Sequence, residues 1–415
     1  ANFSTPPSLS ARDLRTLNKR PAVTAGNFRA ISARCLAPAP IAICNTGGSI
    51  SPSDFCAKAR SWPTLPMALA LPIRAILVVH SARPLVLRQR SGFVPTCSAR
   101  SFYSCRRQAG NLRGMTQIIF SDETPKGWIP PGIAAPVICI LLFAVSMLPF
   151  DFGLTYLDLT DAKGSPRGPL GFCLLLVSFI AVGLAVSGWV RWVEKRSLES
   201  VGLRGEQRLK KFLIGLAVGI AMMGAIVAVI TLSGGYLVAD LAPAFASPAA
   251  LGWIALLLAC FTVQASIEEF VFRGWLFSTI MRRWNITAAF ILSSAAFTFL
   301  HFSPRTSLLM LAMTFIFAIF ACAWVRRSNS IWGVMGWHTG WNWFGGTGFD
   351  VPITGLESGL PALVVKLVPV GPAWLNGAGE GPEGSVFALA LLTVASLSLM
   401  LLARSRERNG IDPSA

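Results

Sequence analysis

Long apolar segments recur along this sequence, and they constrain its fold more than any other feature. Several of them reach the roughly 20 residues that a helix needs to cross a bilayer core of about 30 Å. The chain is 53% hydrophobic and 13% charged, with a mean hydropathy of +0.59. That composition leaves too few polar side chains to cover the surface of a soluble protein. The sequence therefore predicts an all-α, polytopic membrane protein.

About eight transmembrane helices are predicted. They lie at 133–150, 169–190, 212–235, 250–281, 286–302, 307–325, 331–346 and 385–403. Lys and Arg gather in the cytoplasmic loops of inserted proteins, and here the basic connections follow the second, fourth, sixth and eighth segments. We therefore expect a multi-pass protein of the plasma (inner) membrane, with both ends of the membrane domain in the cytoplasm.

Acidic residues dominate the alternate connections of this predicted topology. They are Asp151, Asp158, Asp161, Asp240, Asp350, Glu357, Glu380 and Glu383. Few bases stand among them. Because basic and acidic connections alternate along the chain, they support the assignment of a cytoplasmic and an opposite side of the membrane.

Residues 1–114 differ in composition from the rest of the chain. They hold 16 Lys and Arg against Asp13 and Asp54, which is +14 of the net charge of +17. Because the charge is confined to this leader, it does not indicate nucleic-acid binding. Its cysteines match no metal or redox spacing, and a transit peptide or a disulfide-linked segment are alternatives. We interpret 1–114 as a disordered leader or as sequence outside the natural protein, and 115–415 as the membrane domain.

Two adjacent carboxylates and an arginine stand in the fourth apolar segment, within SIEEFVFRGW. Charges inside a membrane helix are costly, so they persist mainly where they pair or do chemistry. Glu269 and Arg273 are four residues apart with the acid first, which predicts an ion pair on one helix face. Glu268 points about 100° away. Its helical neighbours Val271 and Phe272 disfavour the ionised carboxylate, a setting that suits a general base.

Two histidines stand in later apolar segments. His301 follows Phe297 by four residues, and His338 precedes Asn342 by four residues. Intramembrane histidines are rare, although a lone one also serves to link helices by a hydrogen bond. At 1.5 Å per residue, these groups and the carboxylates reach similar depths. The sequence thus predicts one shared functional cavity within the membrane.

These residues resemble the three motifs of the type II CAAX prenyl proteases and their bacterial relatives, also called the CAAX protease and bacteriocin-processing, or Abi, family. The motifs read Glu268-Glu269-x-x-x-Arg273, Phe297-x-x-x-His301 and His338-x-x-x-Asn342. The resemblance covers roughly 190–346, which would be the catalytic core, and includes the basic connection SLESVGLRGEQRLKK. It implies an intramembrane endopeptidase with catalytic Glu268, His301, His338 and Asn342, supported by Glu269, Arg273 and Phe297.

The residue types also indicate a mechanism. Glu268, with His301 nearby, would activate water, and His338 with Asn342 would stabilise the oxyanion of the intermediate. A zinc ion on Glu268, His301 and His338 is the alternative. The zincin spacing HExxH is absent, so metal-independent chemistry is the expectation.

The expected partners are a peptide or protein substrate at the membrane, prenylated or not, and the lipid bilayer. No nucleic acid is expected, and the oligomeric state stays open. The alternative function is a catalytically silent family member that acts as an immunity factor, scaffold or regulator of a membrane partner. Retention of Glu268 and both histidines favours activity. A proton-coupled transporter would show internal repeats, which the sequence lacks.

Overall fold

The computed structural model describes residues 88–89, 92–93, 120–121, 123–162 and 164–408, without the side chains of 88–89, 92–93 and 403–408. The chain divides into two units, Ala1–Ala109 and Gly110–Ala415. In the first unit, the described residues form two antiparallel strands, β1 (Arg88–Gln89) and β2 (Gly92–Phe93). Apart from these two strands, the prediction of a leader at 1–114, with its boundary at 114, falls on residues outside this description.

The second unit is built mainly from helices. In chain order these are α1 (Ala134–Tyr156), α2 (Gly168–Gly188), α3 (Arg208–Leu232), α4 (Pro248–Glu269), α5 (Phe277–Arg283), α6 (Ile286–Leu300), α7 (Leu308–Ser328), α8 (Trp332–Gly348), the one-turn α9 (Ala373–Asn376) and α10 (Val386–Arg408). A π-helical turn, Trp189–Val193, extends α2, and another, Phe270–Leu276, joins α4 to α5. All predicted apolar segments are helical, and the all-α fold of a polytopic membrane protein is confirmed.

Among the residues that the structure describes, five helical segments are long and apolar enough to cross a membrane. They are Ala134–Tyr156, Gly168–Val193, Arg208–Leu232, Pro248–Arg283 and Leu308–Ser328. Shorter apolar helices lie at Ile286–Leu300 and Val386–Leu402. The chain is therefore an integral membrane protein, and the count of eight spans stays a prediction.

The connections collect at two ends of the helix bundle. One end, here called the basic end, comprises residues 120–121, 123–130, 191–207, 282–285 and 326–331. Ser197 Oγ donates to Glu123 Oε2 over 2.6 Å, and Arg282 Nη2 donates to the carbonyl of Ser121 over 2.8 Å. These bonds join connections that are far apart in sequence. The hydrogen bond from Ser197 also lowers the pKa of Glu123.

The other end, here called the acidic end, comprises residues 157–162, 164–167, 233–247, 301–307 and 349–385. Strands β3 (Tyr236–Leu241) and β4 (Val365–Pro369) pair there in antiparallel fashion. Ser307 Oγ donates to Glu380 Oε2 over 2.5 Å, which ties the last connection to the start of α7. Asp151 differs from the prediction, because it lies within α1 rather than in a loop.

Helix α8 packs closely on α3, and glycines make this approach possible. A Cβ on Gly215 would lie 1.9 Å from the carbonyl oxygen of Gly333, and a Cβ on Gly336 would lie 1.9 Å from that of Phe212. Both distances are far below van der Waals contact, and the obstructing atoms are backbone. The close approach of α8 to α3 therefore depends on glycine at these positions.

We expect Gly336→Ala to destabilise the protein by about 1–3 kcal/mol, because the added methyl group must push α3 away from α8. Gly252→Ala is the matched control, since a Cβ there meets no atom within 4 Å. In a helix, that change should stabilise by about 1 kcal/mol. Thermal unfolding of both variants in one detergent checks the prediction, and equal stabilities would contradict it.

Candidate active site

One cavity of about 370 Å³ brings together the four candidate catalytic residues, Glu268, His301, His338 and Asn342. Phe297 lines it as well. Most of the remaining wall is apolar and comes from α1, α2, α4 and α7. The residues that the sequence placed on three separate segments thus share one space.

The adjacent carboxylates lie at the last turn of α4, where the π-helical turn begins. Such turns are rare and are often found at functional sites. Both side chains are buried, with Glu268 4% exposed and Glu269 fully enclosed. Glu268 faces the cavity, whereas Glu269 is not part of its wall. The two carboxylates therefore have different surroundings, in the way that their 100° separation predicts.

Glu269 binds two partners through one oxygen. Its Oε1 lies 3.1 Å from Arg273 Nη1 and 2.8 Å from His338 Nδ1. The guanidinium of Arg273 also lies over the ring of Phe297, with its central carbon 4.3 Å from the ring centroid. The predicted ion pair is thus present, and it also holds a histidine from α8. Because a carboxylate only accepts, Nδ1 of His338 carries a proton.

Glu268 approaches the opposite edge of the same imidazole. Its Oε2 lies 3.7 Å from His338 Nε2, which is too long for a hydrogen bond. No described residue donates a hydrogen bond to this buried oxygen. A buried acceptor without a partner is uncommon and calls for a functional explanation. Here the oxygen belongs to a side chain that lines the cavity.

His301 caps the end of α6 and is half-buried. Its Nδ1 lies 2.8 Å from the carbonyl oxygen of Phe297, and the two rings are in contact, with centroids 4.4 Å apart and planes tilted by 35°. A carbonyl only accepts, so Nδ1 is the protonated nitrogen. In the neutral ring, Nε2 then carries a lone pair that can accept a proton.

Comparison with known families agrees with this geometry. Residues 250–344 match the family model described as type II CAAX prenyl endopeptidase Rce1-like. The chain carries an Rce1-like domain. The resemblance to this family of membrane endopeptidases is confirmed for these residues, which include all three motifs. The match does not extend to 190–249, so the likeness of the basic connection stays a prediction. No curated protein matches the chain. No solved structure matches it either.

Gln264 in the Rce1-like domain is a cavity residue that the motifs do not include. It is 6% exposed and stands one helical turn before Glu268. Its Oε1 accepts a hydrogen bond of 3.2 Å from Asn342 Nδ2. The signal available in the sequence was a polar residue four positions from Glu268 in an apolar helix, since that spacing places both on one face.

Glu383 is a second cavity residue of this kind, and it corrects an expectation. The sequence placed it in an acidic loop, but it is 3% exposed and lines the cavity. Its Oε1 accepts from Trp341 Nε1 over 2.6 Å, and its Oε2 accepts from the backbone and hydroxyl of Thr354, each over 2.8 Å. These bonds satisfy the carboxylate. No local pattern indicated them, because the partners are distant in sequence.

Metal binding was the alternative interpretation of Glu268, His301 and His338. In the part of the chain that the structure describes, no group of three or more His, Cys, Asp or Glu side chains is arranged to hold a metal ion. The residues present therefore do not fit a zinc site as they stand.

Proposed function

We propose that this protein is an intramembrane endopeptidase that hydrolyses peptide bonds with water activated by Glu268. The observation that carries the proposal is the buried Oε2 of Glu268, which receives no hydrogen bond from a described residue and belongs to a cavity shared with two histidines and an asparagine. The Rce1-like domain supports the same reaction class. The site lies among membrane helices, so the substrate is a peptide or protein associated with the bilayer.

Water activation is assigned to Glu268 and His301. A water molecule between them donates one hydrogen to the carboxylate and the other to Nε2 of His301, whose tautomer is set by Phe297. As the water oxygen attacks the scissile carbonyl carbon, its proton passes to Glu268. The same proton then moves to the leaving nitrogen as the C–N bond breaks. The products are one carboxylic acid and one amine.

Oxyanion stabilisation is assigned to His338 and Asn342. In the neutral ring of His338, Nδ1 carries the proton and donates it to Glu269. Nε2 can therefore donate a hydrogen bond only in the doubly protonated imidazole. Glu268 and Glu269 lie on its two edges, with Glu268 Oε2 3.7 Å from Nε2 and Glu269 Oε1 2.8 Å from Nδ1. Asn342 Nδ2 has two hydrogens, and its bond to Gln264 uses one of them. Donors of this type act most strongly where water is excluded.

The apolar walls of the cavity suit an apolar or lipid-modified segment of the substrate. Phe143, Phe172, Phe179 and Phe261 contribute to these walls. We therefore include prenylated peptides among the substrates to be tested, next to unmodified ones. Burial of apolar substrate surface against these walls contributes about 25 cal/mol per Å² to the free energy of binding. The entropy lost when the substrate binds offsets part of this gain.

The decisive experiment uses purified full-length protein and a library of peptides presented in detergent micelles or vesicles, with and without a farnesyl group. Cleavage by the wild-type chain, lost on Glu268→Gln, supports the proposal. A wild-type chain that cleaves no member of the library, yet binds a membrane partner, would favour the silent scaffold instead.

Metal independence is a separate prediction of this mechanism. We expect chelation with EDTA and 1,10-phenanthroline to leave the cleavage rate unchanged, because the proposed base and donors are side chains alone. The measurement is the rate before chelation, after chelation and after zinc is added back. Loss of activity that zinc restores would overturn the assignment.

A further inference from the structure

Glu383 is a carboxylate on the cavity wall that the proposed mechanism does not use. It stands in the connection before α10 and is 3% exposed. Its indole partner, Trp341, is the neighbour of Asn342 in α8, and its other partner, Thr354, follows the end of that helix. Asn342 and Thr354 line the same cavity. Glu383 therefore lies close to the groups that would hold the scissile peptide.

The hydrogen bonds of Glu383 leave its charge uncompensated. Oε1 accepts from an indole N–H, and Oε2 accepts from a backbone N–H and a hydroxyl group. Because an indole and a backbone amide only donate, both oxygens act as acceptors, as those of an ionised carboxylate do. All three donors are neutral groups. The ion pairs formed by the described residues do not include Glu383.

The other charged groups of the cavity do not offset this carboxylate. Among the described residues, no Lys or Arg lines the wall. Arg273 pairs with Glu269, and neither of them is part of the wall. His338 lies beside Glu268, so a proton on its imidazole offsets that carboxylate. The other histidine of the wall is neutral in the proposed mechanism. The wall thus carries a negative charge at Glu383 that no described cation balances.

A turn on the cavity wall depends on the same carboxylate. Ile353 and Leu356 pair across this turn, and its second residue, Thr354, has a φ of +51°. Residues with branched side chains avoid this left-handed region, so the conformation needs support from its surroundings. Glu383 gives that support by accepting two hydrogen bonds from Thr354. The carboxylate and the turn therefore hold each other in one position, which lowers the cost of ordering them when a ligand binds.

We propose that Glu383 is a specificity residue, which selects substrates that carry a lysine or arginine side chain close to the scissile bond. A carboxylate accepts about four hydrogen bonds, so Oε1 can still accept from an ammonium or guanidinium group. Such a group would also balance a buried charge that otherwise stays unpaired. This inference rests on the proposed function for the reaction, whereas the recognition of charge rests on Glu383 and the cavity wall.

A series of peptides tests the selection in the wild-type protein. The parent peptide is a cleaved member of the library, and Lys, Met or Glu replaces its residues at successive positions on both sides of the scissile bond. At one position, we expect kcat/KM for the Lys peptide to exceed that for the Met peptide by about 10–10²-fold, the effect of one hydrogen bond between charged groups. The Glu peptide should be cut more slowly than either. Equal rates for all three residues at every position would overturn the inference and leave the proposed function in place.

Two variants separate recognition of charge from support of the turn. Glu383→Gln removes the charge, so the ratio of kcat/KM between the Lys and Met peptides should fall to about one. Glu380→Gln is the matched control, because Glu380 binds Ser307 and is not part of the cavity wall, and the ratio should stay as in wild type. A purely structural role predicts that Glu383→Gln slows both peptides by the same factor, which would contradict the proposal. If Glu383→Gln does not fold, the wild-type series still decides whether a basic side chain is preferred.

Binding without cleavage keeps this inference separate from the proposed function. The affinity of fluorescent Lys and Met peptides for Glu268→Gln is measured by anisotropy, and the double variant with Glu383→Gln is the comparison. We expect the Lys peptide to bind about 10–10²-fold more tightly to Glu268→Gln, and the preference to vanish in the double variant. If this pattern is found although the wild-type protein cleaves no peptide, the proposed function fails and the inference stands. If the wild-type protein cleaves peptides but neither binding nor cleavage depends on their charge, the inference fails and the proposed function stands.

Discussion

Glu268→Gln should lower the rate of peptide hydrolysis by about 10²–10⁴-fold, since the amide cannot accept the proton of the attacking water. The substitution keeps the size of the side chain, and Oε2 of Glu268 receives no hydrogen bond from a described residue. The fold should therefore survive. The measurement is kcat on a peptide that the wild-type protein cleaves, together with thermal unfolding in the same detergent.

Two controls make this result specific. Glu206→Gln removes an exposed carboxylate at the basic end and should leave kcat unchanged. Glu268→Asp keeps a carboxylate but withdraws it by one methylene group, so it should retain part of the rate. If Glu268→Gln were as active as Glu206→Gln, water activation would have to be assigned to His301.

Arg273→Ala should lower the free energy of unfolding by about 3–5 kcal/mol, because it leaves the enclosed carboxylate of Glu269 without its cation. Both side chains of this pair are fully buried. Loss of the guanidinium also removes a cation–π contact with Phe297. Denaturant unfolding in mixed micelles, followed by tryptophan fluorescence, gives the difference from wild type.

A double variant tests whether the uncompensated charge is the cause. Glu269→Gln combined with Arg273→Met removes both charges and keeps an oxygen that accepts from His338. We expect it to be less destabilised than Arg273→Ala alone, because neither charge is left unpaired. If the two chains unfold alike, the loss arises from packing around Arg273 and not from the charge on Glu269.

Local spacing explains what could be predicted about the fold and the site. The eight apolar segments each contain a helix because their length and composition set that structure almost independently of their neighbours. The Glu269 and Arg273 pair and the shared face of Phe297 and His301 follow from the i,i+4 geometry of a single helix. The common cavity was predicted from depth alone, and the structure adds that one imidazole lies between both carboxylates.

Contacts between distant segments explain what could not be predicted. Glu383 follows an acidic, glycine-containing stretch that has the composition of an exposed loop, yet Trp341 and Thr354 enclose its carboxylate. The tautomer of His338 likewise depends on Glu269, 69 residues earlier in the chain. No periodicity within a segment encodes such a contact.

The sequence by itself determined an all-α membrane protein, its two differently charged sides and the candidate catalytic side chains, because hydropathy, charge and helical spacing are local properties. Only the tertiary structure decided that Glu269 binds His338 and that Gln264 joins Asn342. These features depend on how closely α3, α4 and α8 approach one another. The distance between α3 and α8 is short because residues such as Gly336 have no side chain and contact the backbone of α3 directly.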